Sequence, residues 1–141
     1  MPSLEPPTAD RTDIPVQLLP FCGCKIMVVE DEFVIADDLA ALLRGAGAEV
    51  IGHVASLPEA MRLAAQTGRI DAAVLNIDLN GVTVFPLADE LIARGVRFMF
   101  LTGYGRDNIP AEYAAIHCCK KPTGPATVID EMKALLRPIA A

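Results

Sequence analysis

Apolar and polar positions change period repeatedly along the chain, from short continuous apolar runs to stretches with apolar residues every three or four positions. Residues 26–29, Ile-Met-Val-Val, end in acids and predict a buried strand. Residues 32–44 carry Ile35, Leu39, Leu42 and Leu43 at helical spacing, with Gly45 and Gly47 as stop signals. A second strand is predicted over 49–54, and a helix over 57–66 with Pro58 in its first turn and Gly68 past its end. The third strand covers 72–75, and Asn80-Gly81 marks a turn. A helix over 84–94, with Pro86 early and Gly95 after it, leads to a fourth strand over 96–101. A loop over 102–108 follows, then a short helix over 110–115 and a brief fifth strand over 116–119. The last helix starts near Pro125 and runs to about Arg137, with Val128, Met132, Leu135 and Ile139 along one face.

Five such βα units predict an α/β fold: a five-stranded parallel sheet, doubly wound, with helices on both faces. In these sheets the working site lies at the C-terminal ends of the strands, where strand order reverses. Before the first strand, Pro2, Pro6, Pro7, Pro15 and Pro20 exclude a long helix. Residues 1–22 therefore read as a tail, and residues 23–141 as the domain. Leu18, Leu19 and Phe21 are the tail residues able to dock on it.

Composition narrows the function classes. The 141 residues fit one domain and suffice for a real core. With 52% hydrophobic residues and no Trp, that core is expected to be built from Ala, Val, Leu and Ile. A net charge of −6 argues against a nucleic-acid surface, which needs clustered Lys and Arg. No apolar run reaches the roughly 20 residues of a membrane span. The N-terminus lacks the basic start and apolar stretch of a secretory signal, so a cytoplasmic location is expected. Cys22-Gly-Cys24 and Cys118-Cys119 do not make a strong zinc spacing and read as small apolar residues in a reducing compartment. His53 and His117 do not fall at the strand ends, and bland roles are expected for both.

The chemistry sits at the predicted strand ends. Strand one ends in Glu30-Asp31, followed by Glu32; strand three ends at Asn76, with Asp78 two residues on. Strand four ends at Thr102, and strand five runs into Lys120-Lys121-Pro122. Clustered carboxylates suit Mg²⁺, and a Thr hydroxyl with a Lys ammonium suits phosphoryl oxygens. Taken singly, each has an ordinary reading: acids favoured at a helix start, Asp78 shaping the Asn80-Gly81 turn, a Thr-Gly turn, a solvated Lys. Four at four successive strand ends, in order, point to one crevice.

This pattern resembles the receiver domain of bacterial two-component response regulators over residues 25–138. Val28-Val-Glu-Asp-Glu32 is similar to the family's acidic pair, Phe100-Leu-Thr-Gly103 to its switch Thr, and Lys121-Pro122 to its Lys. The resemblance implies the flavodoxin-like strand order 2-1-3-4-5. It implies Mg²⁺ held by Asp31, by Glu30 through water, and by the backbone carbonyl of Asp78. Thr102 and Lys121 would contact phosphoryl oxygens, and the Lys121–Pro122 peptide is a cis candidate. The family's phosphate-accepting Asp falls on Asn76, in Asn76-Ile-Asp-Leu-Asn-Gly81. An amide cannot form the acyl phosphate, so phosphorylation there is expected to be absent. It also removes one charge from a pocket where two like charges about 4 Å apart repel by roughly 4 kcal/mol at a dielectric near 20, and weaker Mg²⁺ binding follows. Asn76 reads either as the native residue of a degenerate receiver or as an engineered substitution. The family's aromatic switch position holds Cys118, with Tyr104 the nearest substitute aromatic. Arg97-Phe-Met-Phe-Leu-Thr-Gly103 loosely resembles a subfamily of single-domain stress receivers.

The expected activity is a single-domain receiver acting by contact, not an enzyme, with a histidine kinase, phosphotransfer protein or downstream regulator as partner. A homodimer through helix four, strand five and helix five fits the family. Two alternatives stand beside it. One is a phosphatase of the Asp-nucleophile type, suggested by Asn76-Ile-Asp78 but lacking the nucleophile. The other is a flavin or nucleotide carrier, disfavoured because three consecutive acids after strand one repel phosphate.

Overall fold

The computed structural model describes residues 19–103, 109–121 and 124–136. The elements, in chain order, are β1 (Lys25–Val29), α1 (Phe33–Gly45), β2 (Glu49–Val54), α2 (Leu57–Gln66), β3 (Ala72–Asn76), β4 (Asp78–Leu79), β5 (Val82–Thr83), α3 (Phe85–Ala93), β6 (Arg97–Thr102), a 3-10 turn (Ala111–Tyr113), β7 (Cys118–Lys120) and α4 (Pro125–Leu136). Five strands form one sheet in the order β2-β1-β3-β6-β7, and every pairing is parallel. Counting only these five, this is the expected order 2-1-3-4-5.

Alternating side chains divide the interior in two. On one face Ile26, Val28, Val74, Met99 and Leu101 pack against Leu39 and Leu43 of α1 and Val128 and Met132 of α4. On the other, Met27, Val29, Leu75, Phe98 and Phe100 pack against Ala60 and Ala64 of α2 and Leu87 and Leu91 of α3. Covering both faces explains why β1 and β3 read as continuous apolar runs rather than as alternating ones. Helix α2 is N-capped by Ser56, whose Oγ accepts from the Glu59 N–H at 3.4 Å and donates to Glu59 Oε1 at 3.1 Å. Arg94, after α3, donates to the carbonyls of Ala64, Thr67 and Gly68 at 2.7, 2.9 and 3.1 Å, satisfying oxygens at and beyond the end of α2.

Phe21 belongs to the core. It is 1% exposed, packs with the α1–α4 layer, and its N–H donates to Ala46 O at 2.9 Å. Gly47 makes this approach possible: at φ 101° a Cβ there would lie 3.0 Å from the Cys22 backbone nitrogen.

Three details differ from the sequence expectation. The helix expected over 110–115 is a single 3-10 turn, closed by Tyr113 N–H to Pro110 O and Ala114 N–H to Ala111 O. Tyr113 is drawn inward, stacked on Phe85 at 4.8 Å and donating to Asp89 Oδ1 at 2.6 Å. The strand expected over 116–119 is β7, Cys118–Lys120, because the Ile116 N–H is already taken by Tyr113 O. The Asn80-Gly81 turn also closes an additional small hairpin, β4 with β5; its two central residues sit at φ 54° and 89°, as a type I′ turn requires.

Candidate functional site

The C-terminal ends of β1, β3 and β6 and the residue after β7 meet at one edge of the sheet. Asn76 is the last residue of β3 and is 5% exposed. Its Nδ2 lies 3.0 Å from Glu30 Oε2, 2.9 Å from Asp31 Oδ1 and 2.9 Å from the Asp78 carbonyl oxygen. Only the NH₂ end of an amide donates, so three surrounding oxygens fix which way it points. Two hydrogens serve three acceptors, so at least one is shared.

The surrounding groups are held in turn. Glu30 Oε2 accepts from the Glu32 N–H at 3.0 Å, and Asp31 Oδ2 from the Asn80 N–H at 3.1 Å. Lys121 Nζ pairs with Glu30 Oε1 at 2.7 Å and with the exposed Glu32 at 3.4 Å. Lys121 is set there by its own N–H, which donates to the Thr102 carbonyl at 2.7 Å. Thr102, at the end of β6, is 3% exposed. Burial pushes the Glu30 carboxyl above its ordinary pKa, against the opposing pull of Lys121. Burial acts the same way on Asp31, but hydrogen bonds from Glu30, Asn80, its own backbone and Asn76 outweigh it and hold Asp31 below the usual range.

The structure thus brings together Glu30, Asp31, Asn76, the Asp78 carbonyl, Thr102 and Lys121. The Asp78 side chain is spent on the turn: Oδ1 accepts from the Gly81 N–H at 2.8 Å. Tyr104 and Pro122, and with them the switch-aromatic and cis-peptide expectations, lie outside the described residues. Cys118 pairs in register with Phe100 and packs among the α2–α3 layer. His53 stacks obliquely on Phe33, away from the strand ends.

No family model and no curated protein matches the chain. Solved structures do. The response regulator PhyR from Brucella abortus superposes with a TM-score of 0.71 at 22% identity over 84% of this chain, which spans only 50% of that one. The response regulator TrrA from Thermotoga maritima, solved in complex with Mg²⁺-BeF, gives 0.68 at 23% identity over 80% of this chain and 99% of that one. SdrG from Pseudomonas melonis Fr1, in its BeF₃-activated conformation, gives 0.65 at 31% identity over 79% of this chain and 95% of that one.

The chain belongs to the response-regulator receiver family.

In this receiver the carboxylates of Glu30 and Asp31 and the Asp78 carbonyl are hard oxygen donors of the kind Mg²⁺ takes. By donor chemistry they fit that ion. Their meeting point is filled by the amide nitrogen of Asn76, which supplies hydrogen-bond donors where a cation would supply charge. Sequence reasoning singled out each of these residues but not this contact. Adjacency in sequence says nothing of whether an amide turns its oxygen or its nitrogen inward. Glu32, a second partner of Lys121, was legible only as the third acid of the run.

Proposed function

We propose that this receiver signals by protein contact without phosphorylation, its pocket held in one state by Asn76. The observation that carries the proposal is the amide nitrogen 2.9–3.0 Å from all three oxygens. No carboxylate stands at the end of β3 to attack phosphorus, and the nearby Asp78 carboxylate is tied into the β4–β5 turn. The residues that would hold Mg²⁺ are Glu30, Asp31 and the Asp78 carbonyl; the ion would offset their charge and that of a phosphoryl group. Thr102 and Lys121 would face the phosphoryl oxygens of an acceptor-bearing version of the pocket.

In a phosphorylated receiver, ligand chemistry shifts two populations. Here the Asn76 amide already donates hydrogen bonds to the oxygen cluster, and Lys121 is already committed to Glu30. The resting pocket is therefore held by its own side chains, and output depends on which partner the surface meets. A histidine kinase, phosphotransfer protein or downstream regulator is the partner class, in the cytoplasm, and the module takes in Phe21 as well as residues 23–136. No helix among the described residues is long and apolar enough to cross a membrane.

Intact mass after incubation with Mg²⁺ and acetyl phosphate tests this, with Asn76→Asp in parallel. A phosphoryl adduct on the variant alone supports the proposal. An adduct on the parent protein refutes it and points to Asp78 or another acceptor.

A further inference from the structure

A second cluster of ligand-type side chains lies away from the strand-end pocket, on the edge strand β7 and helix α4. His117 immediately precedes β7, its carbonyl accepting from the Phe100 N–H at 2.9 Å, and two residues on Cys119 turns its side chain to the same side, as extended backbone requires. That is the face covered by α4, where Cys119 is buried against Val128 and Met132. Glu131 on α4 reaches the same point. His117 Nε2 meets Glu131 Oε1, and Cys119 Sγ lies 3.9 Å from His117 Nε2. The three ligand atoms all fall within 4.8 Å of one another.

We propose that His117, Cys119 and Glu131 form a Zn²⁺ site. Tetrahedral zinc with bonds of about 2.0–2.3 Å sets its ligand atoms roughly 3.3–3.7 Å apart. The sulfur–nitrogen separation of 3.9 Å is close to that range before any ion enters. One nitrogen, one sulfur and one carboxylate oxygen are a zinc donor set, and the thiolate discriminates against Mg²⁺ and Ca²⁺. His117 and Glu131 are partly exposed, with side-chain accessibilities of 45% and 39%, which leaves an entry path and a fourth position for water. Without metal the thiol is unfavourable as an anion: burial pushes the Cys119 pKa up to about 11, and Glu131 adds to it. The charge of an incoming cation would offset both effects. As the sulfur–metal bond forms, the thiol proton leaves to solvent, and His117 binds as the neutral imidazole. The site is independent of the pocket around Asn76.

Co²⁺ titration of the full chain, followed by near-ultraviolet absorbance, reads the thiolate directly. One equivalent is expected to produce a thiolate-to-metal charge-transfer band that Zn²⁺ bleaches. His117→Ala and Glu131→Gln, both at partly exposed positions, are expected to weaken Zn²⁺ at least tenfold in a chelator competition while circular dichroism stays unchanged. Cys119→Ser is expected to lose the band, and Cys22→Ser and Cys118→Ser to keep it. Absence of a band in the parent chain, or a band that survives Cys119→Ser, overturns the site. So does Zn²⁺ affinity unmoved by both His117→Ala and Glu131→Gln.

Discussion

Replacing Asn76 by Asp tests the pocket most directly, because it exchanges one NH₂ for one O⁻ at constant shape. The amide nitrogen lies 3.0 Å from Glu30 Oε2 and 2.9 Å from Asp31 Oδ1. An oxygen anion in its place faces two carboxylates, at about 4 kcal/mol of repulsion per pair near 4 Å and a dielectric of about 20. Lys121 offsets part of this, since it already pairs with Glu30. Protonation sets a ceiling. Keeping one carboxyl protonated at pH 7.5, about three units above its ordinary pKa, costs about 4 kcal/mol. The expected loss in EDTA is therefore about 2–4 kcal/mol, or about 6–12 °C in Tm for a domain of this size. A carboxyl whose folded pKa is raised contributes stability that is present at low pH and lost as pH rises through that pKa. Burial already raises Glu30, and a further carboxylate beside it raises that cluster more, so the gap between variant and parent should open as pH rises above the ordinary carboxylate range. Saturating Mg²⁺ should restore the variant by about 2–3 kcal/mol at roughly a hundredfold excess over Kd, and stabilise the parent by less. Differential scanning fluorimetry across pH, with EDTA or Mg²⁺, reads all of this. A variant as stable as the parent in EDTA at pH 7.5, or a parent stabilised by Mg²⁺ as much as the variant, refutes the reasoning.

Other substitutions follow from the same structure. Lys121→Met leaves the buried Glu30 carboxyl without its cation and should cost about 2–4 kcal/mol in urea unfolding, relieved by Glu30→Gln in the same chain. Phe21→Ala should cost about 3–5 kcal/mol, and removing residues 1–22 should destabilise far more than removing residues 1–18. Arg94→Ala strips three carbonyls near the α2 end of a charged donor and should lower stability by about 1–3 kcal/mol, with faster hydrogen exchange at the end of α2. In metal-free protein at pH 8, a thiol with a pKa of about 11 is only about 0.1% thiolate, so mass-mapped iodoacetamide labelling should modify exposed Cys22 long before Cys119.

Much of the architecture is legible in the residue order. The apolar runs at 26–29 and 72–75 and the amphipathic spacing of 32–44 and 57–66 follow from periods that any buried strand or one-sided helix must show. The parallel sheet then follows from their alternation. The site residues were legible for the same reason, because topology alone carries the ends of these strands to one edge. What sequence could not show is whatever depends on one side chain's direction or on competition for a single hydrogen bond. Tyr113 turns residues 110–115 into one 3-10 turn, because its ring is buried between Phe85 and Phe100 and its hydroxyl reaches Asp89. Phe21, on the tail side of the expected boundary, joins the core because Gly47 lets the chain pass. The Asn76 amide turns its nitrogen to three oxygens contributed by two different strand ends. His117, Cys119 and Glu131 meet only because α4 lies over β7. Periodicity is a local property and is written in the chain, whereas the partner of each buried polar atom is a property of the whole packing and appears only when the fold closes.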